Sequence, residues 1–279
     1  MGPGPDHLTM IELRKVSKLF YNDETGEVVQ ALHDITLSVE ENEFVCVLGP
    51  SGCGKSTLLN LVAGFERPTS GQVLFDGHAI QRPGPERGVV FQEAALLPWL
   101  TVEQNVDFGL RNLGYDRDER KERVQRFVSL VGLSDFRRAR PHQLSGGMKQ
   151  RVQIARVLAL SPRALLMDEP FGALDAQTRD HLQEELLHIW EIERKTVLFV
   201  THNVEEAVYL ADRVVVLAPA PEGIIADVPL FIPRPRDRFS DDIRDATRAL
   251  LRVLASLPCC VVPSSRERVS QTLSVQKGG

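Results

Sequence analysis

Apolar residues along this chain fall into three patterns, and each predicts a different kind of element. Met10 to Val16 and Leu32 to Val39 alternate apolar and polar positions, as half-buried strands of an antiparallel sheet do. The polar turn Asn22-Asp23-Glu24-Thr25-Gly26 separates them. Phe44–Leu48, Ala164–Met167, Thr196–Val200 and Val214–Leu217 are instead short unbroken apolar runs. Such runs predict strands covered on both faces, hence a mainly parallel core sheet. Gly88 to Phe91 is a further compact strand closed by Gln92, and Gln72 to Phe75 another before the turn at Asp76-Gly77. Glu40 to Glu43 makes the tight turn into the Phe44 strand, with Asn42 suited to a left-handed conformation.

The third pattern is helical. From Leu96 to Leu160 strand signals vanish, and Val124, Phe127, Val128 and Val131 recur at i, i+3, i+4, i+7 behind the charged run Arg117 to Arg123. Ala176 to Arg194 carries Leu182, Leu186, Ile189 and Trp190 on one side, and Asp241 to Leu257 is again helical. The expected organisation is an α/β fold with no internal repeat. A disordered leader (1–8) precedes one domain (9–240), into which a helical subdomain (about 95–160) is inserted after an N-terminal antiparallel part. A C-terminal helix and flexible tail (241–279) follow.

Chemistry enters at the end of the Phe44 strand. Gly49-Pro50-Ser51-Gly52-Cys53-Gly54-Lys55-Ser56 has the form G-x-x-x-x-G-K-[ST], placed between a buried strand and a helix start at Thr57. Its glycines let successive N–H groups turn inward, where they and the positive end of the helix cradle phosphate. Residues 49 to 57 are therefore the expected nucleoside-triphosphate cradle, with Lys55 reaching the β- and γ-phosphates and Ser56 offering its hydroxyl to Mg²⁺. Asp168-Glu169 directly follows the Ala164 run; an aspartate there suits the Mg²⁺ shell, and Glu169 is placed to polarise a water. Leu144-Ser145-Gly146-Gly147-Met148-Lys149-Gln150-Arg151 opens another helix with a hydroxyl and two glycines, a second anion site.

Composition narrows the setting. With 43% hydrophobic and 25% charged residues among 279, this is an ordinary globular chain, and a net charge of −5 argues against nucleic acid as a partner. Cys46, Cys53, Cys259 and Cys260 lack framework spacing, which predicts unpaired thiols in a reducing compartment. The late apolar stretch Ala249 to Val262 is broken by Arg252 and Pro258 and is too short to span a bilayer, and no secretory signal is evident. Any membrane association is expected to come through a partner.

The Ser145 stretch resembles the signature motif of the ATP-binding subunits of ABC transporters. The order of the other elements matches too: Gln92 closing a strand, Asp168-Glu169, Ala173-Leu174-Asp175, then His202 after Val197 to Thr201. The resemblance covers about Ile11 to Phe239. It implies a P-loop NTPase lobe of ABC type, ATP and Mg²⁺ as cofactors, and two copies paired head to tail. ATP would then lie between the phosphate loop of one copy and Ser145-Gly146-Gly147 of the other. It further implies that Gln92 contacts Mg²⁺ or the attacking water, that His202 donates to the γ-phosphate, and that Asp175 lies at the dimer contact. An aromatic near the N-terminus should stack on adenine; Phe20 fits best, with its neighbour Tyr21 the alternative. Lys55, Gln92, Glu169 and His202 form the implied catalytic set.

Leu96-Leu97-Pro98-Trp99-Leu100-Thr101-Val102, Met167 to Asp175, Leu198 to His202, Glu205-Glu206-Ala207 and Pro233-Arg234-Pro235-Arg236 are similar to the nitrate/sulfonate/taurine branch of these subunits. That branch implies a peripheral subunit on the cytoplasmic face of the inner membrane. It would power an importer made with integral membrane permease subunits and fed by a periplasmic solute-binding protein. The permease is expected to dock near Gln92 and Leu96 to Trp99. Three positions depart from the wider pattern: Asn42 for glycine, Asn203 for aspartate, and Met148 for glutamine, the last common in this branch. The rival within the family is a soluble ATPase acting on nucleic acid or ribosomes. One cassette, no coiled-coil heptads and negative charge argue against it.

Overall fold

The computed structural model describes residues 8–22, 26–172 and 174–257. Most of the expected leader, residues 23–25 of the expected turn, Ala173, and the tail with Cys259 and Cys260 lie outside them.

The chain begins with two long antiparallel strands, β1 (Thr9–Tyr21) and β2 (Val28–Glu40). Both run well past the stretches whose alternation marks them. Lys15 and Asp34 adopt left-handed backbone (φ 49° and 46°), and the β1–β2 register shifts around them. Such bulges break the period of two, so the alternation stops while the strands continue. Asn42 takes the expected left-handed turn (φ 63°) into β3 (Phe44–Leu48). The phosphate loop and α1 (Lys55–Ala63) follow, then β4 (Ser70–Phe75), the short β5 (His78–Ala79) and β6 (Arg87–Val90).

Between residues 96 and 160 the structure has α2 (Val102–Asn112), α3 (Arg117–Leu130), two single 3₁₀ turns and α4 (Gly146–Leu158). Val106 and Leu110 of α2, Phe127 and Val128 of α3, and Val152 of α4 bury themselves in one cluster, while Val124 stays half-buried. Then come β7 (Ala164–Asp168), α5 (Ala176–Glu193), β8 (Thr196–Thr201), the short α6 (Val204–Leu210) and β9 (Arg213–Leu217). β10 (Ile224–Pro229) and α7 (Asp241–Ala255) complete the described chain. β10 had no counterpart in the sequence reading. It is a half-exposed strand that pairs antiparallel with β9 on the sheet's rim and ends at a proline, which only such an edge tolerates.

The strands form two sheets. β2-β1-β4-β5 is wholly antiparallel; β10-β9-β3-β8-β7-β6 is parallel apart from the β10 edge. Successive β3 side chains point to opposite faces. Phe44, Cys46 and Leu48 pack with the helices α4, α5 and α6, whereas Val45 and Val47 pack with α1 and the antiparallel sheet. α1 is thus held between the two sheets. The carboxyl ends of β3, β6, β7 and β8 all lie on one rim, where ligands of such sheets bind.

The Pro233-Arg234-Pro235-Arg236 stretch has a structural role. Nη1 of Arg236, itself buried, donates to the carbonyls of Val208 (2.8 Å), Tyr209 (3.1 Å) and Ala211 (2.7 Å), while Arg234 bonds Leu210 O and Asp212. These are carbonyls that the end of α6 leaves without helical partners. No helix among the described residues is long and apolar enough to cross a membrane.

Candidate active site

Gly49 is buried where β3 ends, and a Cβ there would sit 2.3 Å from Leu217 O. Gly54 has φ +98°, and its missing Cβ would meet Ala31 O at 2.4 Å, so the loop lies directly against β2. Gly54 also caps α1 without any side-chain bond, so no capping side chain occupies the first α1 N–H groups. Within the loop Ser51 and Gly52 are exposed, Pro50 and Thr57 half-buried, and Cys53 buried.

Lys55 is only 5% exposed, and its ammonium donates to Gly49 O and Pro50 O at 2.9 Å each. It also faces Glu169 Oε1 at 3.8 Å. Beside it the exposed Ser56 donates to Asp168 Oδ1 at 3.1 Å, joining α1 to the end of β7. Burial pushes the Asp168 carboxyl above the usual aspartate range, and the neighbouring Glu169 adds to this; the Ser56 bond and Lys55 oppose it. Glu169 takes a left-handed backbone (φ 42°), costly for a side chain of this kind. Its N–H is tied to Val200 O at 3.0 Å, and its Oε2 pairs with Nδ1 of His202 at 2.9 Å. Gln92 completes the group: a Cβ built on Gly172 would lie 3.5 Å from Gln92 Nε2 and 3.8 Å from Glu169 Oε2. The structure therefore brings Lys55, Ser56, Gln92, Asp168, Glu169 and His202 to one rim.

Ser145, Gly146, Gly147 and Asp175 belong to a separate group. Ser145 caps α4 by accepting from Met148 N (3.3 Å), and Asp175 caps α5 by accepting from Thr178 N (3.0 Å), a bond that lowers the Asp175 pKa. The two helix starts adjoin, since a Cβ on Gly147 would touch Thr178 Cγ2 at 2.9 Å. Both caps are exposed, and each bonds within its own helix instead of to the Lys55 group. Phe20, 38% exposed, lies on β1 with the Lys18 ammonium 4.8 Å above its ring; Tyr21 is more exposed still.

Two buried polar groups behind the site were missed. Glu206 accepts from Thr201 Oγ1 and from Gln183 Nε2 (2.9 Å), below the turn that carries His202. The Glu205-Glu206-Ala207 stretch, in which Glu205 is exposed, marks the branch in sequence but carries no sign that Glu206 is enclosed. Gln153 on α4 is wholly buried against Phe91, with nothing in the sequence to mark it.

A loop whose Gly49 and Pro50 carbonyls accept from a buried lysine, a hydroxyl–aspartate pair beside it, and a glutamate held by a histidine suit phosphoryl transfer to water. Residues 32–172 match the family model described as ABC transporter. The chain belongs to the ABC transporter family. The nitrate import ATP-binding protein NrtD of Synechococcus elongatus is 51% identical over 221 residues, covering 77% of this chain and 81% of that protein. The bicarbonate transport ATP-binding protein CmpD of Synechocystis is 48% identical over 237 residues, covering 83% of each. Among solved structures, a dimeric ATP-binding cassette in a post-hydrolysis state with ADP and Pi superposes with TM-score 0.69 at 33% identity, over 79% of this chain and 99% of that one. As an ABC ATP-binding subunit of the nitrate type, this protein binds ATP and is an ATPase coupled to transport.

Proposed function

We propose that this ABC subunit drives import of a small anion, working as a head-to-tail homodimer beneath membrane permease subunits. The observation that carries the reading is the division of the site. The Lys55–Glu169–His202 group and the exposed Ser145 cap each offer half of an anion site, and among the described residues no hydrogen bond or ion pair joins the two. A loop that already wraps one side of a triphosphate leaves only the opposite face open. A second copy can present Ser145, Gly146 and Gly147 there, with Asp175 beside them at the contact.

In this reading residues 9–240 form the ATP-binding domain, with the helical part (about 95–160) inserted. Residues 49–57 cradle the phosphates, and Lys55 exchanges its carbonyl partners for β- and γ-phosphate oxygens. Phe20, or Tyr21, stacks on adenine. Glu169 accepts the proton of the attacking water, and its left-handed backbone aims the carboxylate across the rim toward Lys55. With Nδ1 of His202 engaged by Glu169, Nε2 is the atom left for the γ-phosphate. Mg²⁺ fits the donor set: Ser56 and Asp168 present hard oxygens side by side, 3.1 Å apart. Ser56, Asp168 and Gln92 would hold the ion, which offsets phosphate charge when bound.

The permease would dock near Gln92 and Leu96 to Trp99; Trp99 is exposed, and Phe91, next to Gln92, stacks on Phe65 at 6.1 Å with both rings exposed. Placement at the cytoplasmic face of the inner membrane and supply by a periplasmic binding protein follow from the same reading. The relatives are named for nitrate import and bicarbonate transport, and sulfonates and taurine belong to the branch the chain resembles, so a small anion or sulfonate-type solute is the expected cargo.

Complementation tests the composite site. Lys55→Met and Ser145→Arg chains should each lack ATPase activity, yet regain it when mixed, because a heterodimer holds one intact site. Failure of the mixture, with both variants folded and dimeric, would refute it. Reconstitution with the neighbouring permease genes and uptake of labelled nitrate, bicarbonate and taurine then decides the cargo.

A further inference from the structure

Gln153 lies on α4 about 12 Å along the axis from Ser145, eight residues at the helical rise. Its amide is fully buried, so oxygen and nitrogen both need partners. One orientation supplies them. The oxygen accepts from Phe91 N at 2.7 Å, and the nitrogen donates to Phe91 O and to Gln150 Oε1, each at 3.3 Å. Phe91 is where β6, the last strand of its sheet, leaves its pairing with β7. The Gln153 amide acts there as a neighbouring strand would, gripping both backbone groups of the residue before Gln92. The loop beyond is pinned to the same helical layer twice more, by Arg156 Nη1 on Ala95 O (2.7 Å) and Asn105 Oδ1 on Leu97 N (2.9 Å). Of the three pins, Gln153 is nearest Gln92.

We propose that Gln153 is a positioning residue that makes α4 and the Gln92 segment move as one body, and so couples the two nucleotide sites of the dimer. The inference rests on the composite-site reading. There Ser145 at one end of α4 serves the partner's nucleotide, while Gln92, tied to the same helix, serves the chain's own. A shift of α4 on engagement of one nucleotide is then delivered to Gln92 at the other, through two hydrogen bonds to Phe91. Without them α4 can move while Phe91 stays with the sheet.

The test uses the full-length protein carrying Gln153→Met, close in size but unable to make the bonds, or Gln153→Glu, which can accept from Phe91 N but cannot donate to Phe91 O. ATP affinity, Tm and the ATP dependence of phosphate release are measured for each. Both variants should bind ATP within about twofold of wild type, since residues 49–57 are untouched, while kcat falls roughly tenfold in Gln153→Met. The Hill coefficient, which two coupled sites allow to approach ~2, should drop toward ~1, with Gln153→Glu between wild type and Gln153→Met. A merely structural role would lower Tm and affinity together and leave the Hill coefficient alone; that result overturns the proposal. A cooperative wild type with equally cooperative variants overturns this proposal only. A fully active wild type with a Hill coefficient of ~1 shows uncoupled sites and overturns this inference as well, whereas the composite-site reading falls only if the Lys55→Met and Ser145→Arg chains fail to complement.

Discussion

Glu169→Gln separates the two things this carboxylate does, and the effects should have opposite signs. The amide keeps the size of the side chain and can still accept a bond from His202 Nδ1, now 2.9 Å from Oε2. It cannot take a proton from water, and loss of a general base costs about 10²–10⁴ in rate. It also removes the charge facing Lys55 at 3.8 Å. At an effective dielectric of about 20 that pair is worth roughly 4 kcal/mol gross, much of it offset by desolvation. A net change of ~1 kcal/mol would free Lys55 for phosphate and tighten ATP binding about fivefold. Removing the repulsion between Glu169 and the γ-phosphate acts in the same direction. The assays are calorimetric titration with MgATP and steady-state phosphate release. The variant should bind ATP more tightly and turn it over at least a hundredfold more slowly, a loss of ~2.7 kcal/mol in transition-state stabilisation. Near-normal turnover would remove Glu169 from its role as base, and weaker binding would show that its charge does not restrain Lys55.

Two further outcomes concern the scaffold. Gly54→Ala forces a Cβ into φ +98° and to 2.4 Å from Ala31 O, so it should cost about 3 kcal/mol and lower Tm by roughly 6–12 °C, read by thermal denaturation; a loss within 2 °C would mean the loop does not bear on β2 as described. Burial holds the Glu206 carboxyl above the ordinary carboxylate range, with Thr201, Gln183, Arg179 and His202 opposing. Its contribution to stability is therefore complete below the unfolded value of about 4.3 and is lost as pH rises through the higher folded value. Glu206→Gln should match or exceed wild-type Tm at pH 8, the difference closing by pH 4; a variant less stable at pH 8 than at pH 4, relative to wild type, contradicts that sign.

What the sequence made legible was whatever lies contiguous in it. β3, β7, β8 and β9 are unbroken apolar runs because both faces of the sheet are covered, and the residues that end them carry the chemistry. Lys55, Asp168, Glu169 and His202 could be named without knowing how the strands are ordered. That they converge depends on β3 and β7 each lying beside β8, which no local pattern encodes. Alternation failed at Lys15 and Asp34, where bulges interrupt β1 and β2, and at β10, a rim strand among prolines and glycines. Gln153 and Glu206 escaped for another reason. A polar residue on a helix reads as a solvated one, and only the packing of α4 on β6 and of α6 on α5 reveals that these two are enclosed.

The posture of Lys55 bears on selectivity. An ammonium already served by two carbonyl oxygens and a nearby carboxylate is a weak lure for stray anions. A lone orthophosphate offers too little in exchange for those three acceptors. A chain of linked phosphates arrives with several acceptors at once and can outbid them. On this footing a visitor is weighed by how many linked acceptors it presents to Lys55 at once.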